Sequence, residues 1–194
     1  SVYPRDGRDV GTLMKNADAG MYTAKKQGRN NFKFYTPNAN SASAARLEME
    51  NKLRQALEQG EFEVWYQPKV SMKTQKIVGA EALVRWHSPE LNLVPPSQFI
   101  PLAEDTGLII PIGEWVLRTA CQESKHWQSE GQLPLHVSVN LSARQFSKED
   151  LLTSIEYIVD EFDMNPRNLE LELTESLIMP NAEDSIETLQ ALKK

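Results

Sequence analysis

The sequence has a single cysteine, Cys121, so no disulfide framework can form within the chain. It has no apolar run that could cross a bilayer. Stretches such as Leu108–Ile112 fall far short of the ~20 residues a spanning helix needs, so no membrane contact is expected from this segment. No signal peptide is expected in the opening residues Ser1-Val2-Tyr3-Pro4. Positive charge is in deficit: 21 Lys and Arg stand against 27 Asp and Glu, a net charge of -6. That balance argues against a nonspecific binder of nucleic-acid polymers. It leaves a small anionic ligand open, because local cations decide that. His87, His126 and His136 show no zinc-ligand spacing. Cys121 lies in a helical pattern and reads as a small buried hydrophobe, not a catalytic thiol. An initial Met is also lacking, and the chain is expected to be a piece of something longer.

What is present is ordinary globular material. The 194 residues are 40% hydrophobic and 25% charged, enough for one domain or two small ones. Asp9 to Gln27 carries Leu13, Ala17, Met21 and Tyr22 at helical spacing, with Gly28 as a stop signal. Asn31 to Tyr35 alternates as a short strand. Residues 36–43 (T-P-N-A-N-S-A-S) read as a linker. Ala44 to Gln59 reads as a charged helix with Leu47, Leu53 and Leu57, and Glu48, Glu50, Lys52 and Arg54 as its solvated face. Three segments follow from this: 1–35, the linker 36–43, and 44–194.

From Glu61 onward, strands alternate with helices. Glu61 to Val70 and Ile77 to Trp86 are expected as a hairpin. A short helix through Glu104 follows Pro95 and Pro96, and a longer one spans Ile112 to Glu130. Leu135 to Leu141 is a strand. Ser147-Lys148-Glu149-Asp150 resembles an N-cap opening a helix to about Phe162. Leu169 to Thr174 is a strand, and a last helix starts near Asn181. This alternation predicts an α/β fold with a parallel sheet or barrel.

Side chains alternate faces along a strand. In A-E-A-L-V-R-W, Glu81, Leu83 and Arg85 share one face, opposite Ala82, Val84 and Trp86. In V-S-V-N-L, Val137, Val139 and Leu141 lie opposite Ser138 and Asn140. In L-E-L-E-L-T-E, three leucines lie opposite Glu170, Glu172 and Thr174. Glu81, Asn140 and Glu172 thus each place an oxygen donor near the carboxyl end of a strand, where parallel α/β folds put their chemistry. Two carboxylates and an amide oxygen suit a hard cation such as Mg²⁺ or Mn²⁺. Other readings fit the same pattern. Glu172 fits a solvent-facing position, Asn140 a turn cap, and Glu81 an ion pair with Arg85. Trp65, Trp86, Trp115 and Trp127 read as packing residues.

The stretch Glu81-Ala82-Leu83-Val84-Arg85-Trp86 resembles the signature of EAL domains, the cyclic di-GMP phosphodiesterases. The resemblance extends to Val64-Trp65-Tyr66-Gln67-Pro68, Phe99-Ile100-Pro101-Leu102-Ala103-Glu104, Ser138-Val139-Asn140-Leu141-Ser142 and Glu172-Leu173-Thr174-Glu175-Ser176. These motifs cover roughly residues 45–194. Residues Ala17 to Tyr22, Ala24 to Lys26 and Gly28 to Asn30 resemble the last helix and strand of a GGDEF domain, too little to cyclise GTP.

The resemblance implies a TIM-like (β/α)8 barrel of EAL type, with an antiparallel first strand pair, incomplete in this chain because such a barrel needs about 250 residues. It implies metal ligation by Glu81, Asn140 and Glu172, with Mg²⁺ or Mn²⁺ as cofactor. Gln67 and Arg85 match positions that contact the dinucleotide, with Leu83 beside them. Glu175 matches a glutamate that helps hold a catalytic loop. The implied reaction is metal-assisted hydrolysis of cyclic di-GMP to linear pGpG in bacterial signalling. The family's paired-aspartate motif is not found here, so the fragment alone is expected to be inactive. A non-catalytic domain that binds cyclic di-GMP or regulates is the alternative. A homodimer through the EAL domain and a cytoplasmic location are also expected, with any membrane anchor of the parent protein outside this segment.

Overall fold

Residues 62–70 and 77–88 alternate apolar with polar side chains, and they pair as antiparallel strands β1 (Phe62–Val70) and β2 (Ile77–Ser88). The computed structural model describes residues 1–26, 31–35, 37–130, 135–173 and 182–193. The chain divides into two compact units, Ser1–Lys52 and Leu53–Lys194.

The first unit holds helix α1 (Val10–Lys26) and the start of helix α2 (Pro37–Gln59). Asp9 closes the amino end of α1 by accepting from the Thr12 backbone N–H at 2.8 Å, which satisfies a donor with no partner inside the helix. Two local expectations fail here. Residues 31–35 form no strand, because none of the described residues supplies a ladder partner for them. The expected linker at 36–43 is helical from Pro37, a residue whose fixed φ suits the first helical position. Along α2, Leu53 is fully buried while Leu47 is 60% exposed.

The second unit is a sheet ordered β1-β2-β4-β5, where β4 is His136–Asn140 and β5 is Leu169–Glu172. The strands β2, β4 and β5 run parallel, and β1 is antiparallel to β2. A short strand β3 (Asn92–Val94), whose first residue Asn92 takes φ 59°, pairs antiparallel with the end of β2. Helices α3 (Pro96–Thr106), α4 (Ile109–Ser129), α5 (Ala143–Phe146), α6 (Leu151–Glu161) and α7 (Ala182–Leu192) accompany the strands, and a 3-10 turn, Pro166–Asn168, leads into β5. Among the described residues no helix is long and apolar enough to cross a membrane.

The register puts Ala80, Ala82, Trp86, Val137 and Val139 on one face of the sheet, all buried. Phe99 and Leu102 of α3 and Ile112, Val116 and Ala120 of α4 are buried with them. Trp86 and Phe99 meet edge to face at 5.8 Å, and both are fully buried. Burying a side chain of this size contributes about 1.5–3 kcal/mol, so this cluster anchors the helices to the sheet. The Trp86 indole N–H also donates to Glu61 at 2.8 Å, so its burial leaves no unpaired donor. Cys121 is buried, and desolvation pushes its thiol up to about 11. It is a core residue, as its helical setting suggested.

Helix α6 starts later than Ser147. The serine that caps a helix with a reciprocal glutamine is Ser142, paired with Gln145 at the start of α5. Ser147 instead ends α5, and α6 begins at Leu151. Ser147 is already the carboxyl-end cap of α5, its backbone N–H donating to the Ala143 carbonyl at 3.0 Å.

Candidate functional site

The second face of the sheet carries the polar residues. Backbone register places Trp65, Gln67 and Lys69 of β1 opposite Leu83, Glu81 and Gly79 of β2. It aligns Glu81 with Ser138 of β4, and Ser138 and Asn140 with Glu170 and Glu172 of β5. All of these side chains therefore project to one side, because paired residues on adjacent strands share a face.

Of the site residues named from the sequence, Gln67, Glu81, Leu83, Arg85, Asn140 and Glu172 lie on this face, and two of them meet directly. The Asn140 amide donates to Glu81 at 2.7 Å. Glu172 turns instead to Lys69, whose ammonium lies 2.5 Å from Glu172 Oε1 and 3.0 Å from Glu170 Oε2. Lys69 also donates to the Ser138 hydroxyl, which in turn donates to Glu170 at 2.6 Å. The lysine starts on β1 and reaches β5 by passing β2 at Gly79, which has no side chain to block it. A Cβ at Gly79 would sit 2.6 Å from the His136 carbonyl oxygen, so that position holds glycine for close strand approach.

These bonds shift two protonation equilibria. The hydrogen bond from Ser138, reinforced by Lys69, holds the Glu170 carboxyl below its ordinary range. The Glu172 carboxylate, with help from Glu170, holds Lys69 charged above its ordinary range. The cluster is thus a cation flanked by two carboxylates. Sequence reading found Glu172 and placed Glu170 on its face, but missed Lys69. The available signal was its position two residues after Gln67, on the same face.

Arg85 makes no ion pair with Glu81 among the described residues. Its guanidinium lies over the Trp65 ring, 5.1 Å from the centroid, and donates to the Val84 carbonyl at 2.9 Å. The opening between the carboxyl ends of β2 and β4 and helices α3 and α4 encloses about 310 Å³. Leu83, Arg85, Glu104 and Asn140 line it, with Ile100 and Ile112 on its apolar side. Glu104, matched by motif, therefore belongs to the same opening. Gln67 is exposed beside Glu81. Glu175 lies outside the described residues.

The donor set suits a hard cation: two carboxylates and an amide, with no thiolate or imidazole among them. In the conformation seen, Asn140 presents its NH2 to Glu81, and Glu172 commits one oxygen to Lys69. Ligation of an ion by these residues would need the Asn140 amide to present its oxygen in place of its NH2, with the second Glu172 oxygen left for the ion. Among the described residues no three His, Cys, Asp or Glu side chains converge as a ligand group.

Comparison with known proteins follows the same motifs. The model of the EAL domain family matches residues 50–194. A bifunctional diguanylate cyclase/cyclic di-GMP phosphodiesterase, MucR of Pseudomonas aeruginosa, is 43% identical over 99% of this chain and 28% of its own length. The cyclic di-GMP phosphodiesterase PdeR of Escherichia coli is 37% identical over 98% of this chain and 28% of its own. This chain thus spans little more than a quarter of these relatives. Among solved structures, the PaMucR phosphodiesterase in complex with c-di-GMP is similar at 42% identity, with a TM-score of 0.73 over 75% of this chain and 59% of that one. The EAL enzyme Bd1971, bound to cAMP and cyclic-di-GMP, gives a TM-score of 0.75 at 29% identity over 97% of this chain and 50% of that one. The expected barrel-like fold class is borne out by these neighbours, although the described sheet is open. The chain belongs to the EAL-domain family.

Proposed function

We propose that this chain carries part of the active face of a cyclic di-GMP phosphodiesterase, which hydrolyses one phosphodiester to give linear pGpG. One observation carries the reading: Glu81, Asn140 and Glu172 lie on the same sheet face as Arg85, which borders an opening at the carboxyl end of the strands. The names of the similar MucR and PdeR proteins support the substrate.

Glu81, Asn140 and Glu172 hold Mg²⁺ or Mn²⁺. A bound divalent ion supplies charge that lowers the pKa of water and stabilises developing charge on phosphate oxygens. Arg85 binds a phosphate of the dinucleotide through its fork of donors, after leaving its place over Trp65 or by using the edge not turned to Val84. Gln67 and Leu83 flank it and orient the ligand. Glu175 takes the part of the family's glutamate that helps hold a catalytic loop. On this reading, residues 1–35 are the end of a GGDEF domain, consistent with the bifunctional name of MucR, and 44–194 belong to the EAL domain. The reaction takes place in the cytoplasm. Two copies pair through the EAL domain, which light scattering tests as twice the chain mass of 22.0 kDa. A single-chain mass contradicts the pairing.

The test is calorimetric titration of cyclic di-GMP into the protein with Mg²⁺. Arg85→Ala is expected to weaken binding at least tenfold while leaving the thermal midpoint unchanged. Equal affinity in wild type and Arg85→Ala overturns the reading.

A further inference from the structure

We infer that Trp65 is a substrate-contacting residue, an aromatic platform on which one guanine base of the dinucleotide stacks. The inference rests on the cyclic di-GMP reading of the same face. Trp65 lies on the polar face of the sheet, whereas Trp86 lies on the other face among the packed helices. Its position is what assigns the role. Its cross-strand partner is Leu83, Gln67 follows on the same face of β1, and Arg85 lies over its ring. The three side chains expected to touch the ligand therefore surround this indole.

The ring is also held in place before any ligand arrives. Its indole N–H donates to Glu63, and the Glu63 carboxylate oxygen lies 2.6 Å from His87 Nε2. The bond from Trp65 is the main reason that Glu63 stays below the ordinary carboxylate range. An aromatic ring fixed by its edge keeps its faces available, and little freedom is lost when a base stacks on it. Base-on-aromatic stacking contributes about 1–3 kcal/mol per base and accepts any base, so Trp65 adds affinity and leaves the choice of guanine to other groups. Arg85 covers part of the indole. When the guanidinium engages a phosphate, the ring it covered becomes available, so the two contacts form together.

The experiment is titration of cyclic di-GMP into the wild-type protein, Trp65→Ala and Trp65→Phe, read by calorimetry and by tryptophan fluorescence. Trp65→Ala is expected to weaken binding about tenfold, the equivalent of ~1.4 kcal/mol. Trp65→Phe is expected to keep affinity within a few-fold and to lose most of the ligand-induced fluorescence change. Unchanged affinity in Trp65→Ala overturns the inference, as does an undiminished fluorescence change in Trp65→Phe. If Trp65→Ala fails to fold, the Trp65→Phe result decides alone. Arg85→Ala separates the two levels. If it loses binding while Trp65→Ala does not, the platform is wrong and the substrate reading stands. If the wild-type protein binds no cyclic di-GMP, both fall.

Discussion

The two faces of one sheet are built by opposite rules. On the helix-covered face, Ala80, Ala82, Trp86, Val137 and Val139 are buried and satisfied by packing. On the other, Lys69, Glu81, Ser138, Asn140, Glu170 and Glu172 are satisfied by one another. Period-two alternation sends consecutive residues of each strand to opposite faces, so stability and chemistry occupy alternate positions of the same segment. A packing face tolerates change by volume. A polar face of interlocked partners tolerates change only where every partner stays paired.

Substitutions can break this comparison, and their expected costs descend in order. Trp86→Ala removes the largest buried side chain of the packing face and is expected to cost about 3–5 kcal/mol, measured by urea unfolding. A loss below 1 kcal/mol would show that Trp86 does not anchor the helices. Gly79→Ala forces a Cβ to within 2.6 Å of the His136 carbonyl, a backbone atom that cannot step aside. It is expected to cost about 1–3 kcal/mol by the same measurement. Lys69→Met removes the cation shared by Glu170 and Glu172, both partly exposed, and is expected to cost about 1 kcal/mol or less. A larger loss would place the polar face among the main determinants of stability. Cys121 gives the smallest readout. Its thiol is buried and held protonated by desolvation, so a thiol-specific reagent at pH 8 is expected to leave the native protein unlabelled and to label it in denaturant.

Much of this was legible in the residues. Strand faces follow from alternation alone, and Glu81, Leu83 and Arg85 project together as the pattern requires. The β1–β2 hairpin and the parallel pairing of β2, β4 and β5 also match expectation. The partners of these side chains were not legible. Arg85 rests on Trp65 and not on Glu81, and Glu172 meets Lys69 from β1, because cross-strand contacts depend on register over long sequence separations. Trp65 reads as a packing residue by its type, while alternation along β1 sets it on the polar face opposite Leu83. Ser147 reads as a cap from its spacing to Asp150, whereas the capping pair is Ser142 and Gln145, which start α5 where the chain turns after β4. The strand expected at 31–35 is absent because alternation proposes a strand that pairing must then stabilise.

On the proposed reading, the polar face binds a divalent cation through Glu81, Asn140 and Glu172. Titration of Mn²⁺ into the protein, followed by the loss of the free-ion electron paramagnetic resonance signal, tests it most directly. Saturable binding in the wild type that disappears in Glu81→Ala, with the variant still folded by circular dichroism, is the predicted result. Equal Mn²⁺ binding by wild type and a folded Glu81→Ala would contradict it.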